Sequence, residues 1–104
     1  MFASGSFELI ESKVVRNTAG ENGGGISSKI EPLTLRRNSI VRGNIAHQNG
    51  GGIYSRGPLE LVDSIVKNNT ADLEGGGIFW NQSIEKKNSE VILNTPNNIV
   101  PPLP

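Results

Sequence analysis

Apolar and polar residues alternate with a period of two along most of this chain. In the first stretch Leu9 and Val14 fall on one side of the alternation, and Glu8 and Lys13 fall on the other. Such alternation is typical of β-strands, whose successive side chains point to opposite faces. Three short strands fit each unit of the pattern: one at Gly-Gly-Ile, one at Leu-x-Leu and one at Ser-x-Val.

The alternating segments recur as three units. Phe7, Leu33 and Leu59 open the units at intervals of 26 residues, and each unit ends on Gly-Gly-Gly-Ile. Because each unit repeats the same path, equivalent strands run parallel and stack about 4.8 Å apart. The sequence therefore predicts an all-β fold, a short parallel β-helix of three clear coils plus a partial fourth, with these apolar stacks: Leu9, Leu35 and Leu61; Val14, Val41 and Val66; Ala19, Ala46 and Ala71; Ile26, Ile53 and Ile78.

Asparagine and glycine recur at fixed places in the same units. Each Gly triplet is preceded by an Asn that is followed two residues later by Ala. A side-chain amide both donates and accepts hydrogen bonds, so stacked Asn residues predict a ladder along the axis. Glycine lets one chain segment pass close to another. We expect two structural columns: Asn17, Asn44 and Asn69, and Gly25, Gly52 and Gly77.

The repeat pattern weakens after Trp80, which divides the chain into residues 1–80 and 81–104. We interpret 1–80 as the coils and 81–104 as a degenerate last coil with a Pro-rich C-terminal cap or docking tail. Proline cannot donate to a sheet ladder, so the tail should stop stacking, and 94–104 is a candidate docking segment. The N-terminal end shows no comparable cap, and we expect a protein partner or a second copy to bind there.

Composition excludes several classes of function. Ten basic and ten acidic residues give a formal net charge of zero, which does not favour nucleic-acid binding. Cysteine is absent, so disulfides and thiolate sites are excluded. No apolar run is long enough to span a membrane, and no signal peptide is visible. We therefore expect either an intracellular chain or a fragment of an exported protein.

Residues 7–80 resemble a known family through the segments "NTAGENGGGIS", "LTLRRNSIVRGNIAHQNGGGIY" and "LELVDSIVKNNTADLEGGGIF". They are similar to right-handed parallel β-helix repeats of the pectin-lyase-like superfold, especially the Gly-Gly-Ile and Asn-rich repeats of bacterial polymorphic outer-membrane and adhesin-like proteins. The resemblance implies a right-handed parallel β-helix. The superfold hosts lyases, hydrolases, adhesins and scaffolds, so the resemblance leaves the activity open.

Few residues point to catalysis. A glycosidase needs two carboxylates across a cleft, and Glu11 and Asp63 occupy equivalent corners two coils apart. Corner positions favour Asn and Asp for their turns, which explains both residues better. His47 is the only histidine and has no nucleophile beside it, so we interpret it as a loop residue. We expect no catalytic residue, no metal ligand and no cofactor.

Tyr54, Phe79 and Trp80 are the candidate binding residues. Tyr54 and Phe79 occupy equivalent positions after the inward Ile, so they should point outward, with Trp80 next to them. Such a row fits a protein contact or sugar stacking, and the competing interpretation is that the polar segment after Trp80 covers it. The main hypothesis is a non-catalytic structural or protein-interaction module. The alternatives are a carbohydrate-binding or polysaccharide-cleaving fragment and a fragment of a bacterial surface adhesin.

Overall fold

The computed structural model describes residues 2–3 and 6–102 as an all-β protein. Strand β1 (Phe2–Ala3) leads into the first coil, and each coil then contributes its own set of strands. The first coil holds β2 (Phe7–Ile10), β3 (Lys13–Val15), β4 (Thr18–Ala19) and β5 (Ile26–Ser28). The second holds β6 (Leu33–Arg36), β7 (Ile40–Arg42), β8 (Ile45–Ala46) and β9 (Ile53–Ser55).

The third and fourth coils follow the same path. The third holds β10 (Pro58–Val62), β11 (Ile65–Lys67), β12 (Thr70–Ala71) and β13 (Ile78–Trp80). The fourth holds β14 (Ser83–Lys87), β15 (Glu90–Ile92) and β16 (Ile99–Val100). Of the segments expected at 1–80 and 94–104, residues 1, 4, 5, 103 and 104 lie outside the described residues.

Equivalent strands stack in parallel into four sheets. Their orders are β1-β5-β9-β13-β16, β2-β6-β10-β14, β3-β7-β11-β15 and β4-β8-β12, which we call sheets A, B, C and D. The register places Leu33 against both Phe7 and Leu59. It likewise aligns the Val14 and Ile26 columns as the repeat alignment predicts. The expected parallel β-helix is therefore confirmed.

Sheet D adds a fourth, two-residue strand to the three expected in each coil. It forms at the residue pair after each ladder Asn, where Thr18–Ala19, Ile45–Ala46 and Thr70–Ala71 pair in parallel. The segment is too short to show an alternation, which is why the pattern does not reveal it. In the fourth coil a single bridge from Thr70 to Thr95 stands at this place.

The core is a narrow column of stacked aliphatic side chains. Leu35, Val41 and Ile53 of the second coil are fully buried, and their counterparts in the other coils stack with them. Each coil supplies only a few apolar residues, because each side of the coil turns one or two side chains inward. A low apolar content is therefore enough for a shared core.

The fourth coil is shorter than the other three. Ile99 is the fifth residue after Asn94, whereas Ile78 is the ninth after Asn69, and no Gly triplet lies between Asn94 and Ile99. Ile99 still pairs with Ile78, and Ile84 pairs with Leu59. Residues 94–100 thus form the last side of the fourth coil, and the Pro-rich end follows directly after β16. Within the described residues, no helix is long and apolar enough to cross a membrane.

Candidate functional site

The asparagine column forms a continuous hydrogen-bonded ladder through the interior. The backbone N–H and the side-chain Nδ2–H of Asn44 both donate to Asn69 Oδ1, at 3.0 and 2.9 Å. Asn17 makes the same pair of bonds to Asn44, and Asn69 makes it to Asn94. Asn44 and Asn69 are almost wholly buried, so the ladder satisfies polar groups that water does not reach.

A second Nδ2–H links Asn44, Asn69 and Asn94 back to the preceding coil. Asn44 donates to the Val14 carbonyl at 3.0 Å, and Asn69 donates to the Val41 carbonyl at 3.1 Å. Each buried amide therefore has both of its donor hydrogens and its oxygen paired. Removing one such side chain takes away the acceptor of two donors in the preceding coil and one of the two donors to the Oδ1 of the following coil.

Asn98 closes the ladder at the C-terminal end. Its Oδ1 accepts from the backbone N–H and the Nδ2–H of Asn94, at 3.0 and 3.1 Å. This is the same pair of bonds that a ladder residue in a fifth coil would accept. The short turn from Asn94 to Ile99 brings Asn98 back beneath the ladder, so the chain ends its own hydrogen-bonded column.

The glycine column is required by the asparagine column. A Cβ at Gly52 would lie 2.7 Å from the Gly77 carbonyl oxygen and 2.9 Å from Asn69 Nδ2. Real Cβ atoms do not approach other atoms that closely, so the ladder amide and the neighbouring backbone fill the space a side chain would need. Gly25 and Gly77 stand in the same relation to Asn44 and Asn94. The Asn and Gly columns therefore pack against each other, and the Asn side chains need the Gly positions to stay without a side chain.

Tyr54 and Phe79 form a stacked pair on the outer face of sheet A. Their ring centroids lie 5.4 Å apart and their planes differ by 8°. Both residues are half-buried, and they pair directly across β9 and β13. The stack uses one face of each ring, so the outer face of each ring, the ring edges and the Tyr54 hydroxyl remain outside this contact.

Trp80 lies on the other side of the same strand. It follows Phe79 in β13, so its side chain turns inward and packs against the core cluster. Its indole Nε1–H donates to the Pro101 carbonyl at 2.6 Å. The structure thus brings Tyr54 and Phe79 together and separates Trp80 from them. The C-terminal segment therefore contacts the indole.

The expected carboxylate corner lies between sheets B and C. Asp63 and Glu11 both adopt positive φ angles, of 49° each, as corner residues of a tight turn do. The Asn88 Nδ2–H donates to Asp63 Oδ1 at 2.6 Å. The corner lines a groove of about 890 Å³ that also includes outward Ile40 and Ile65.

His47 lies in an exposed loop, as expected. Its Nδ1 is 3.0 Å from Asp72 Oδ2, and both side chains are more than half exposed. Among the described residues, no group of three or more His, Cys, Asp or Glu side chains could hold a metal ion. The pair is a surface contact between neighbouring coils.

Sequence reasoning missed the fourth member of each polar column. Ser89 and Asn94 are buried and continue the Ser64 and Asn69 columns. Both lie 25 residues after their counterparts, the same spacing that separates Asn44 from Asn69. The signal was present, but the missing Gly triplet conceals the fourth repeat.

Stacked parallel strands around a buried amide ladder define a repeat protein of the parallel β-solenoid class. Residues 38–56 match the family model of the Chlamydia polymorphic membrane protein repeat. The match spans β7, β8, the second Gly triplet and β9. The match and the solenoid together support a β-helix repeat protein of the polymorphic-membrane-protein and adhesin type, which confirms the resemblance seen in the sequence. Comparisons with curated proteins and with solved structures found no match.

Proposed function

We propose that this chain is a segment of an adhesin-like surface solenoid and serves as a non-catalytic structural and protein-contact module. The observation that carries the proposal is the match of residues 38–56 to the polymorphic-membrane-protein repeat, which covers three of the four strands of the second coil. A rigid stack of short parallel strands suits a scaffold, because each coil contacts only its neighbours and the stack can hold an outer surface at a fixed place.

The use of the polar residues supports a non-catalytic role. The buried amides are fully engaged in the ladder, and none is left to face a substrate. The Asp63 carboxylate stands in a turn and accepts a hydrogen bond from Asn88. His47 is paired with Asp72 at the surface.

The outer face of sheet A supports protein contact over sugar stacking. A sugar ring stacks on an aromatic face, but the mutual stacking of Tyr54 and Phe79 occupies the faces between them. The exposed edges and the Tyr54 hydroxyl suit a protein partner, where aromatic residues with a polar tip are common. We therefore assign the contact surface to this pair.

Two measurements test the proposal. An antibody raised against the folded chain should label intact source cells as strongly as permeabilised ones; labelling only after permeabilisation would contradict a surface role.

Beads coated with the chain should adhere to epithelial monolayers, and Tyr54→Ser with Phe79→Ser should reduce adhesion. Glu60→Ser, on the outer face of sheet B, is the matched control and should leave adhesion unchanged. If all variants adhere equally, Tyr54 and Phe79 are not part of the contact surface.

Carbohydrate binding is the second candidate function, and the groove between sheets B and C favours it. Carboxylate and amide groups of Glu11, Asn38, Asp63 and Asn88 line the groove, and such groups pair with sugar hydroxyls. A glycan array probed with the natural chain and with Asp63→Ala tests it. Binding that the substitution abolishes would support this candidate, and an array without signal would exclude it.

A further inference from the structure

The two ends of the solenoid are chemically different. We propose that the N-terminal face of the first coil is a docking surface for one more coil of the same Asn-bearing repeat, which enters sheet A through β1. The inference rests on the hydrogen-bonding pattern of the ladder and does not depend on a surface role.

Asn17 presents an open acceptor on this face. Inside the stack, each ladder Oδ1 accepts from the backbone N–H and the Nδ2–H of the preceding Asn. Asn17 donates to Asn44 in that way, but among the described residues nothing donates to Asn17 Oδ1. The side chain is exposed, whereas Asn44 is 0% exposed. The face therefore lacks the pair of donors that a preceding ladder Asn supplies.

The same face offers a donor and a second acceptor. Each inner ladder residue donates its other Nδ2–H to a Val carbonyl of the preceding coil, and Asn17 has no such partner among the described residues. Ser39 Oγ accepts from the backbone N–H of Ser12 at 3.2 Å, and Ser89 Oγ accepts from Ser64 in the same way. Ser12 Oγ stands in the equivalent place on the open face.

The strand edges agree with the ladder. In sheets B, C and D the first-coil strands β2, β3 and β4 are edge strands, while in sheet A β1 already covers β5. Phe2 pairs with Ser27 in parallel register, one coil beyond the first. A coil added at this face would extend sheets B, C and D by one strand each, and β1 would be its strand in sheet A.

The opposite end is protected against the same contact. Asn98 occupies the position of the next ladder residue, and Lys86 and Lys87 place charges on edge strand β14. Charged residues on an edge discourage pairing with another strand. Pro101 and Pro102 follow β16 and carry no N–H to donate.

The difference between the two ends indicates what can bind the N-terminal face. A coil of the same repeat with an open C-terminal side offers Asn N–H and Nδ2–H groups aimed at Asn17 Oδ1. A second copy of this chain does not, because its own Asn94 donors are already held by Asn98. The complementary surface is therefore an uncapped repeat coil.

The experiment adds a coil to each end in turn. In one variant a copy of residues 33–53 is joined directly before Phe2, which keeps the register of every sheet and leaves β1 paired with β5. We expect one cooperative urea transition with a higher midpoint than that of the natural chain. In its matched control the inserted copy of Asn44 is replaced by alanine, and most of the gain in midpoint should disappear. A separate transition for the inserted coil, or an unchanged midpoint, would overturn the proposal.

A copy of residues 55–80 placed after Val100 is the control for added length. Because Asn98 holds the ladder closed, this addition should not raise the midpoint unless Asn98→Ala accompanies it. Equal gains at the two ends would show that the ends are equivalent and would refute the asymmetry. Light scattering on the natural chain supplies a third arm. A dimer that Asn17→Ala abolishes would assign the face to a second copy instead.

Discussion

Replacing Asn69 by alanine tests whether the amide ladder holds the coils together. The side chain is 1% exposed and takes part in four hydrogen bonds that alanine cannot make. After the substitution the backbone N–H and one Nδ2–H of buried Asn44 lose their acceptor, and the Val41 carbonyl loses its donor. In the following coil, Asn94 Oδ1 loses one of its two donors. The substitution therefore affects the coils on both sides.

The structure sets the size of the expected effect. An unpaired buried donor costs about 1–3 kcal/mol, so the two Asn44 donors together imply a loss of about 2–6 kcal/mol in the free energy of unfolding. A domain of this size has a total of about 5–15 kcal/mol. We therefore expect Asn69→Ala to lower the urea midpoint severely or to prevent folding at room temperature.

Asn17→Ala is the matched control at the open end of the same column. It removes only the bond from Asn17 Nδ2 to Asn44 Oδ1, which keeps the Asn17 backbone N–H as a donor. We expect a loss of about 0.5–1.5 kcal/mol. Urea unfolding followed by circular dichroism measures both variants. Losses that agree within about 0.5 kcal/mol would refute the argument that ladder burial stabilises the stack.

Three further experiments test the packing of the coils. Gly51→Ala places a Cβ well inside 3.0 Å of two backbone carbonyl oxygens and should cost about 3 kcal/mol in urea unfolding, whereas Gly20→Ala, with nothing within 4 Å, should change stability by less than about 0.5 kcal/mol. A double-mutant cycle of Tyr54→Ser and Phe79→Ser should give a coupling energy of about 0.5–1.5 kcal/mol, and no coupling would contradict the stack. Trp80→Phe removes the bond to the C-terminal segment and should lower the thermal midpoint by an amount equivalent to about 1 kcal/mol.

The fold is predictable from the sequence because every coil repeats the same pattern of apolar and polar positions. Leu33, Val41 and Ile53 recur in register with residues of the neighbouring units, and a parallel stack is the arrangement that buries all of these columns at once. The Asn ladder is predictable for the same reason, since equivalent positions must lie over one another.

The sequence predicts the fourth coil only as a partial one, because this coil keeps the buried residues of the repeat and lacks the Gly triplet. Val91 and Asn94 follow Val66 and Asn69 at the same interval of 25 residues, but the turn after Asn94 bypasses the Gly triplet. An alignment anchored on glycine stops at Ile78. An alignment anchored on the buried columns continues to the end of the solenoid.

The candidate site is less predictable, because side-chain direction depends on a single step of the alternation. Phe79 points outward, so Trp80 must point inward, and its indole meets a backbone carbonyl from a segment 21 residues later. The sequence gives no signal for that contact. Tyr54 and Phe79 form a stacked pair, and Trp80 lies on the opposite face of the same strand.

The ladder also explains why a repeat of this kind has a direction. Each inner ladder Asn donates two hydrogen bonds to the following coil and one to the preceding coil. Adding or removing an inner coil therefore leaves the same open Oδ1 acceptor at the N-terminal end. Only a residue such as Asn98, which returns an amide oxygen to the last rung, ends the series at the other. The number of coils can therefore vary without any new kind of interface. A chain built this way needs one specialised end, and here the C-terminal turn supplies it.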